Sequence, residues 1–277
     1  MGLHEWQREL SAMVTAPRGT GPTLVEEGLT VEERRWLQAT AEDPGLRVTR
    51  HAQRSWRVAR LLNALPLTMV ALPAATRDAV INAYLDEVPC VSFFHAHEGR
   101  GFARFLVDHR PVVGAHALSL AAFEVAVADA MEHPLFARDE AEPGPLTGES
   151  ILRMHPAATV VVFAAAPEQV IAAAIAGTEP PPLEDAPHAL LVAPGLPSLT
   201  RALRPDELGW LEACNAGLTV NELVEDRSER MAWVEQMLAQ GALACTPSPP
   251  NSVPRSRRRG SAQRFRRHRP SASADGV

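Results

Sequence analysis

The chain has 277 residues, 46% of them apolar, and a formal net charge of −6, enough for one or two ordinary cores. No apolar run reaches bilayer-spanning length, and the N-terminus MGLHEWQREL lacks a signal-peptide apolar region, so a cytoplasmic protein making no membrane contact is expected. All 27 basic residues are Arg, which excludes a Schiff-base or phosphate-loop Lys, and three scattered cysteines (Cys90, Cys214, Cys245) do not make a disulfide framework.

Residues 1–135 read as an α-helical bundle. Trp6, Leu10 and Met13 share one face of a first helix. Thr30 and Glu33 form a capping box for VEERRWLQATAE, which Pro44-Gly45 is expected to stop. Arg47 to Leu65 is a long amphipathic helix. Its stripe of Val48, Ala52, Ser55, Ala59 and Leu62, with Val58, Leu61 and Leu65 beside it, is expected to pack closely inside the bundle, leaving Arg50, Arg54, Arg57 and Arg60 on the opposite face. A short turn, LTMVAL, sits between Pro66 and Pro73. Helices follow over 76–87, 101–110 and 115–132, with 88–99 as a loop.

Residues 136–150, polar and rich in Pro and Gly, read as a linker. An α+β domain is expected over 151–245. TVVVFA (159–164) is its first strand, PEQVIAAAIAG (167–177) a helix with Pro at its first position and Gly at its stop, and HALLVA (188–193) a second strand. Leu199, Arg201 and Leu203 alternate along a third strand, Ser198–Arg204. Three short helices follow. Pro205-Asp206-Glu207 opens the first, and Thr219 with Glu222, then Asp226 with Glu229, cap the other two. A small sheet with three helices is a winged-helix-like pattern. Residues 246–277 carry eight Arg against Asp275, a net of +7, and are expected to be a disordered basic tail. The rest of the chain, with 19 Arg and 32 acidic residues, has a net of −13.

A winged-helix-like unit takes DNA or a peptide. Residues 219–240 hold Glu222, Glu225, Asp226, Glu229 and Glu235 against Arg227 and Arg230, a net of −3 that would repel phosphates, so nucleic acid is disfavoured. A strand edge beside a helix can instead take an extended peptide. With Met231, Val234 and Leu238 facing the core, Trp233 and Met237 are expected to lie half-exposed beside the edge strand. They would anchor apolar side chains, with Arg201 and Arg230 pairing to acidic ones. The expected peptide-binding set is Leu199, Arg201, Leu203, Arg230, Trp233 and Met237. The blander alternatives are an inert accessory domain and a Trp233 packed against the N-terminal domain.

No catalytic constellation is visible. Phosphate-loop, dinucleotide-binding and nucleophile-elbow motifs are missing. His95 and His97, two apart in a presumed extended loop, fall short of the three or four ligands of a metal site. Glu124 lies among apolar residues and is expected to pair with Arg54 or Arg57 across the bundle. Cys90 and Cys214 read as small apolar groups. A binding or accessory protein, rather than an enzyme, is expected, with no metal or cofactor of its own.

Several short motifs add a resemblance. They are Arg50 on a helix running to Leu62, Tyr84 followed by Pro89, Phe102-Ala-Arg-Phe105-Leu106, Phe123-Glu124-Val125-Ala126 and His155-Pro156. Residues 3–133 resemble the helical domain of the partner proteins of TIM-barrel, multinuclear iron peptide-modifying enzymes, such as the methanobactin oxidase small subunit, its 3-thiaglutamate counterpart and the bufferin-type chaperones. Residues 189–245 resemble the recognition element of ribosomal-peptide pathways. The resemblance covers roughly 3–245. The family's Y-R-x-N stands here as Thr49-Arg50-His51-Ala52, keeping only the Arg. The resemblance implies a non-catalytic partner subunit, heterodimeric with the iron enzyme through Arg50, Arg54 and Arg57. It would bind the leader of a precursor peptide whose cysteines the enzyme oxidises in natural-product biosynthesis, and the iron would sit in that partner. The competing expectation is a DNA-binding regulator using the three-helix unit and the basic tail.

Overall fold

The computed structural model describes residues 3–17, 28–90, 92, 94–132, 146–224 and 228–246. The fold is α+β. Most of the expected linker, the basic tail beyond Thr246, and Asp226 of the expected third capping box lie outside the described residues.

The first eight helices are α1 (Leu3–Thr15), α2 (Val31–Glu42), α3 (Pro44–Ala64), α4 (Pro66–Ala71), α5 (Ala74–Glu87), α6 (His95–Asp108), α7 (Arg110–Val113) and α8 (Ala115–Glu132). The Thr30–Glu33 capping box starts α2 as expected, with Thr30 N–H donating to the Glu33 carboxylate at 2.8 Å. Pro44 does not merely stop α2. It takes the first turn of α3, where its missing N–H costs nothing, and Asp43 caps the Gly45 N–H. Helix α6 begins at His95, so the expected loop over 88–99 is shorter than its Gly and His content suggested.

Helix α3 is rotated from its expected placement. Arg57 and Arg60 are buried with Leu46 and Leu61, whereas Val48, Ala52, Ser55, Ala59 and Leu62 are exposed. The interior supplies the reason, because each inward Arg meets a fixed acceptor. Arg57 Nε donates to Glu98 Oε1 at 2.8 Å, with its guanidinium over the Tyr84 ring, and Arg60 Nη1 donates to the Ser92 carbonyl at 2.9 Å. Arg54 pairs with Asp86 and Asn82, and Arg50 Nε donates to the Met13 carbonyl at 2.5 Å. The inward face also carries Leu46 and Leu61, larger than the Ala and Ser of the other stripe, and the acceptors offset the cost of taking the arginines out of water. Around these pairs Leu61, Leu65, Met69, Tyr84, Phe102, Phe105 and Leu106 form the bundle core.

The second part comprises β1 (Ile151–Met154), β2 (Thr159–Phe163), α9 (Pro167–Ala176), β3 (His188–Val192), β4 (Thr200–Leu203), α10 (Pro205–Asn215), α11 (Val220–Val224), α12 (Ser228–Ala239) and β5 (Leu243–Thr246). Strands β2, β3 and β4 form an antiparallel sheet in that order, and β1 pairs with β5 in a second. The four-residue β1 and β5 are too short to stand out by pattern. The last part of the expected linker is ordered, because the Gly148 and Ser150 carbonyls accept from Asn221 and Val220 at the start of α11.

The central sheet is covered on both faces. Val161, Phe163, Leu190 and Val192 join Leu120, Ala126 and Ala130 of α8 and Val170 and Ala174 of α9 in one core. Leu191 and Ala193 join Leu211, Val220, Leu223, Trp233, Val234 and Met237 in another. Ser119 of α8 donates to the Val162 carbonyl at 2.9 Å. Two-sided burial explains the unbroken apolar run of β3.

Candidate functional site

Strand β4 lies at the edge of its sheet and pairs only with β3 among the described strands. Ala193 N–H donates to the Leu199 carbonyl at 2.9 Å, and the register pairs Leu191 with Arg201 and Ala189 with Leu203. The antiparallel alternation therefore turns the main-chain groups of Arg201 and Leu203 toward β3 and those of Thr200 and Ala202 outward. Leu199 is not a strand residue. It sits at φ +58 in the tight turn before β4, with its N–H on the Leu196 carbonyl. Gly195 in the same turn lies so close to the end of α12 that an added Cβ would come within 2.4 Å of the Gln240 carbonyl oxygen.

Helix α12 faces the same side of β4 as Arg201 and Leu203. Arg201 Nη1 lies 3.5 Å from Met237 Sδ, and Arg201 also pairs with the buried Glu207. The other Glu207 oxygen accepts from Arg204 N–H at 2.9 Å, so one carboxylate both starts α10 and orients Arg201. At the rim Arg204 reaches Glu229 at 3.4 Å and Asp206 at 3.5 Å. On α12, Arg230 donates to the Leu223 carbonyl at 2.8 Å and lies over the Trp210 ring.

The expected exposure of Trp233 and Met237 is corrected here. Trp233 is 4% exposed and Met237 0%, while Met231 and Leu238 are half-buried. Rotating α12 by about one residue, roughly 100°, moves from the expected stripe to the observed one, and the 3.6-residue period fits both. The larger ring decides. Trp233 packs edge-on against Trp210 at 5.2 Å, and its Nε1 has no acceptor among the described residues. Trp233 and Met237 therefore lie beneath the surface, and Arg201, Leu203, Arg204 and Glu229 lie beside the open edge, while Arg230 turns to α10 and α11. The sequence reading missed Thr200, Ala202, Arg204, Glu207 and Glu229. The Glu three residues after Arg204 was the available signal for that capping carboxylate.

Arg50, Arg54 and Arg57, expected at a partner contact, point into the bundle and are engaged there. Glu124 pairs with neither Arg54 nor Arg57. Its carboxylate accepts from Leu67 N–H at 2.7 Å, Thr68 N–H at 2.9 Å and the Thr68 hydroxyl at 2.6 Å, holding the start of α4. Burial pushes its carboxyl above the usual carboxylate range, outweighing those hydrogen bonds. Near it a cleft of about 170 Å³ opens between α3, α6 and α8.

His95 and His97 lie in the first turn of α6 rather than an extended loop, and His97 Nδ1 contacts the Ser92 hydroxyl at 2.8 Å. Among the described residues no three His, Cys, Asp or Glu side chains converge as metal ligands. Cys214 is buried in the α10 interface, its thiol pushed up to about 12 by desolvation. Among the described residues no helix is long and apolar enough to cross a membrane. No protein-family model matches the sequence, and no curated protein matches it either.

Proposed function

We propose that this chain is a non-catalytic partner subunit that binds the leader of a ribosomally made precursor peptide. It would present the peptide to an iron-dependent TIM-barrel enzyme that oxidises cysteine residues. The observation that carries the reading is the open edge of β4 beside α12. Thr200 and Ala202 offer outward N–H and C=O groups, and the exposed Arg204 stands at the adjoining rim. An extended peptide adding to β4 gains main-chain hydrogen bonds from the first pair. Acidic leader side chains gain charge-assisted ones from Arg204, at the cost of displacing Glu229 and Asp206 from it. We read β3, β4 and α10–α12 as a winged-helix-like recognition unit. The shared core of α8 with β2 and β3 would hold that unit rigidly against the bundle, so that a bound peptide is delivered at a constant geometry. The iron and the oxidation chemistry belong to the partner enzyme.

Fluorescence anisotropy with a labelled acidic amphipathic peptide and with a random DNA duplex tests the reading. Saturable peptide binding that persists without residues 247–277 supports it. Duplex binding that survives the same deletion, with no peptide binding, would instead identify a DNA-binding regulator.

A further inference from the structure

The outward face of α3 is an apolar helix surface that nothing among the described residues covers. Val48 is 70% exposed, Trp56 72% and Leu62 52%, and Ala52, Ser55 and Ala59 between them are exposed as well. Positions 48, 52, 55, 59 and 62 are spaced alternately by four and three, the seam of a coiled coil, and run about 21 Å along the helix. Small residues at its centre let a second helix axis approach to about 8 Å.

We propose that this face pairs two copies of the chain, with their α3 helices antiparallel about a two-fold axis near Ser55. The stripe is close to self-complementary. Read in either direction it runs branched apolar, Ala, Ser, Ala, branched apolar, which is what an isologous contact requires. In this arrangement Val48 of one copy meets Leu62 of the other at both ends, Ala52 lies by Ala59 around the central Ser55, and Trp56 closes the flank. Charge allows the pairing. The five arginines between Arg47 and Arg60 would be expected to repel a copy, yet Arg50, Arg54, Arg57 and Arg60 all turn inward to acceptors. Arg47 and His51 remain exposed near one end of the stripe, and the antiparallel arrangement sets them apart from their counterparts. The exposed side chains amount to roughly 400–500 Å² per copy, so their complete burial would reach about 1,000 Å², the lower threshold for a specific, reversible interface.

This surface belongs to a different core from the β4–α12 groove, so the two readings can fail separately. Sedimentation velocity on the full chain, up to about 100 µM, is the test. A reversible dimer is expected. Ala59→Arg should weaken it at least tenfold while the helical spectrum and peptide binding stay unchanged, and Trp56→Ala should weaken it less. A chain that stays monomeric throughout the range overturns the proposal, as does a dimer indifferent to Ala59→Arg. A monomer whose α3 face is engaged only by a different protein overturns it too.

Discussion

The guanidinium of Arg201 on β4 lies 3.5 Å from the thioether sulfur of Met237 on α12, and this contact ties the edge strand to the helix that walls the candidate groove. Met237 is wholly buried and Trp233 nearly so, which makes both structural. Trp233→Ala is expected to cost about 3–5 kcal/mol and Met237→Ala about 2–5 kcal/mol of unfolding free energy, as large-to-small core changes do. Urea denaturation checks this. A Trp233→Ala protein of near-native stability would contradict the packing described.

The Arg57–Glu98 pair sits at the centre of the bundle, with Nη2 2.7 Å from Oε1 and both side chains 3% exposed. Truncating one partner strands the other charge away from water. Glu98→Ala is expected to lower stability by about 3–5 kcal/mol. Joint replacement of Arg57 and Glu98 by apolar residues of similar volume should cost less than the single change. Equilibrium unfolding of the single and double variants gives the comparison, and additive losses would refute the coupling.

Glu124 and Glu222 should respond oppositely to pH. Burial raises the Glu124 carboxyl above 4.5, so the folded state favours its protonated form. Its contribution is full below 4.5 and is lost as pH rises through the raised folded value. Glu222 is lowered by the hydrogen bonds from Thr219 N–H and its hydroxyl. Its contribution is present above 4.5 and is lost as pH falls through the folded value. Urea midpoints between about pH 4 and about pH 7 should therefore fall with rising pH relative to Glu124→Gln and rise with it relative to Glu222→Gln. The same slope for both pairs would be inconsistent with these environments.

Thiol reactivity separates the three cysteines. Cys90 and Cys245 are partly exposed, whereas Cys214 is buried and its thiol is held near 12. A disulfide-exchange reagent at neutral pH should modify Cys214 only after unfolding. Rapid labelling of Cys214 in the native protein, read by peptide mass mapping, would contradict its placement.

The α+β class, most helix positions and the order strand, strand, three helices were legible in the sequence, because capping residues and apolar periods report directly on local structure. The facing of α3 and α12 was not. A period of 3.6 says that a helix has a buried stripe, but two adjoining stripes of similar apolar content are told apart only by what lies opposite them. Leu46 and Leu61 share the inward face of α3 with Arg57 and Arg60, which Glu98 and the Ser92 carbonyl satisfy, and Trp210 packs on Trp233. Those partners are distant in sequence or hidden in a segment that reads as loop. Glu124 misled for the same reason, since its partners are the main-chain N–H groups of Leu67 and Thr68 rather than an Arg. At the candidate site, the edge strand and Arg201 could be read from the alternation, whereas Arg204 and the outward main-chain groups of Thr200 and Ala202 needed the register.

The most direct test of the peptide-binding account is the affinity of an Ala202→Pro variant for the labelled acidic peptide. The Ala202 N–H points away from β3, so Pro removes a donor that the folded chain does not use in the sheet, and Arg201 before it is already extended. The account predicts a folded protein, with an unchanged circular dichroism spectrum, whose peptide affinity falls at least tenfold, about 1.4 kcal/mol. Full affinity in a folded Ala202→Pro protein would contradict strand addition at β4.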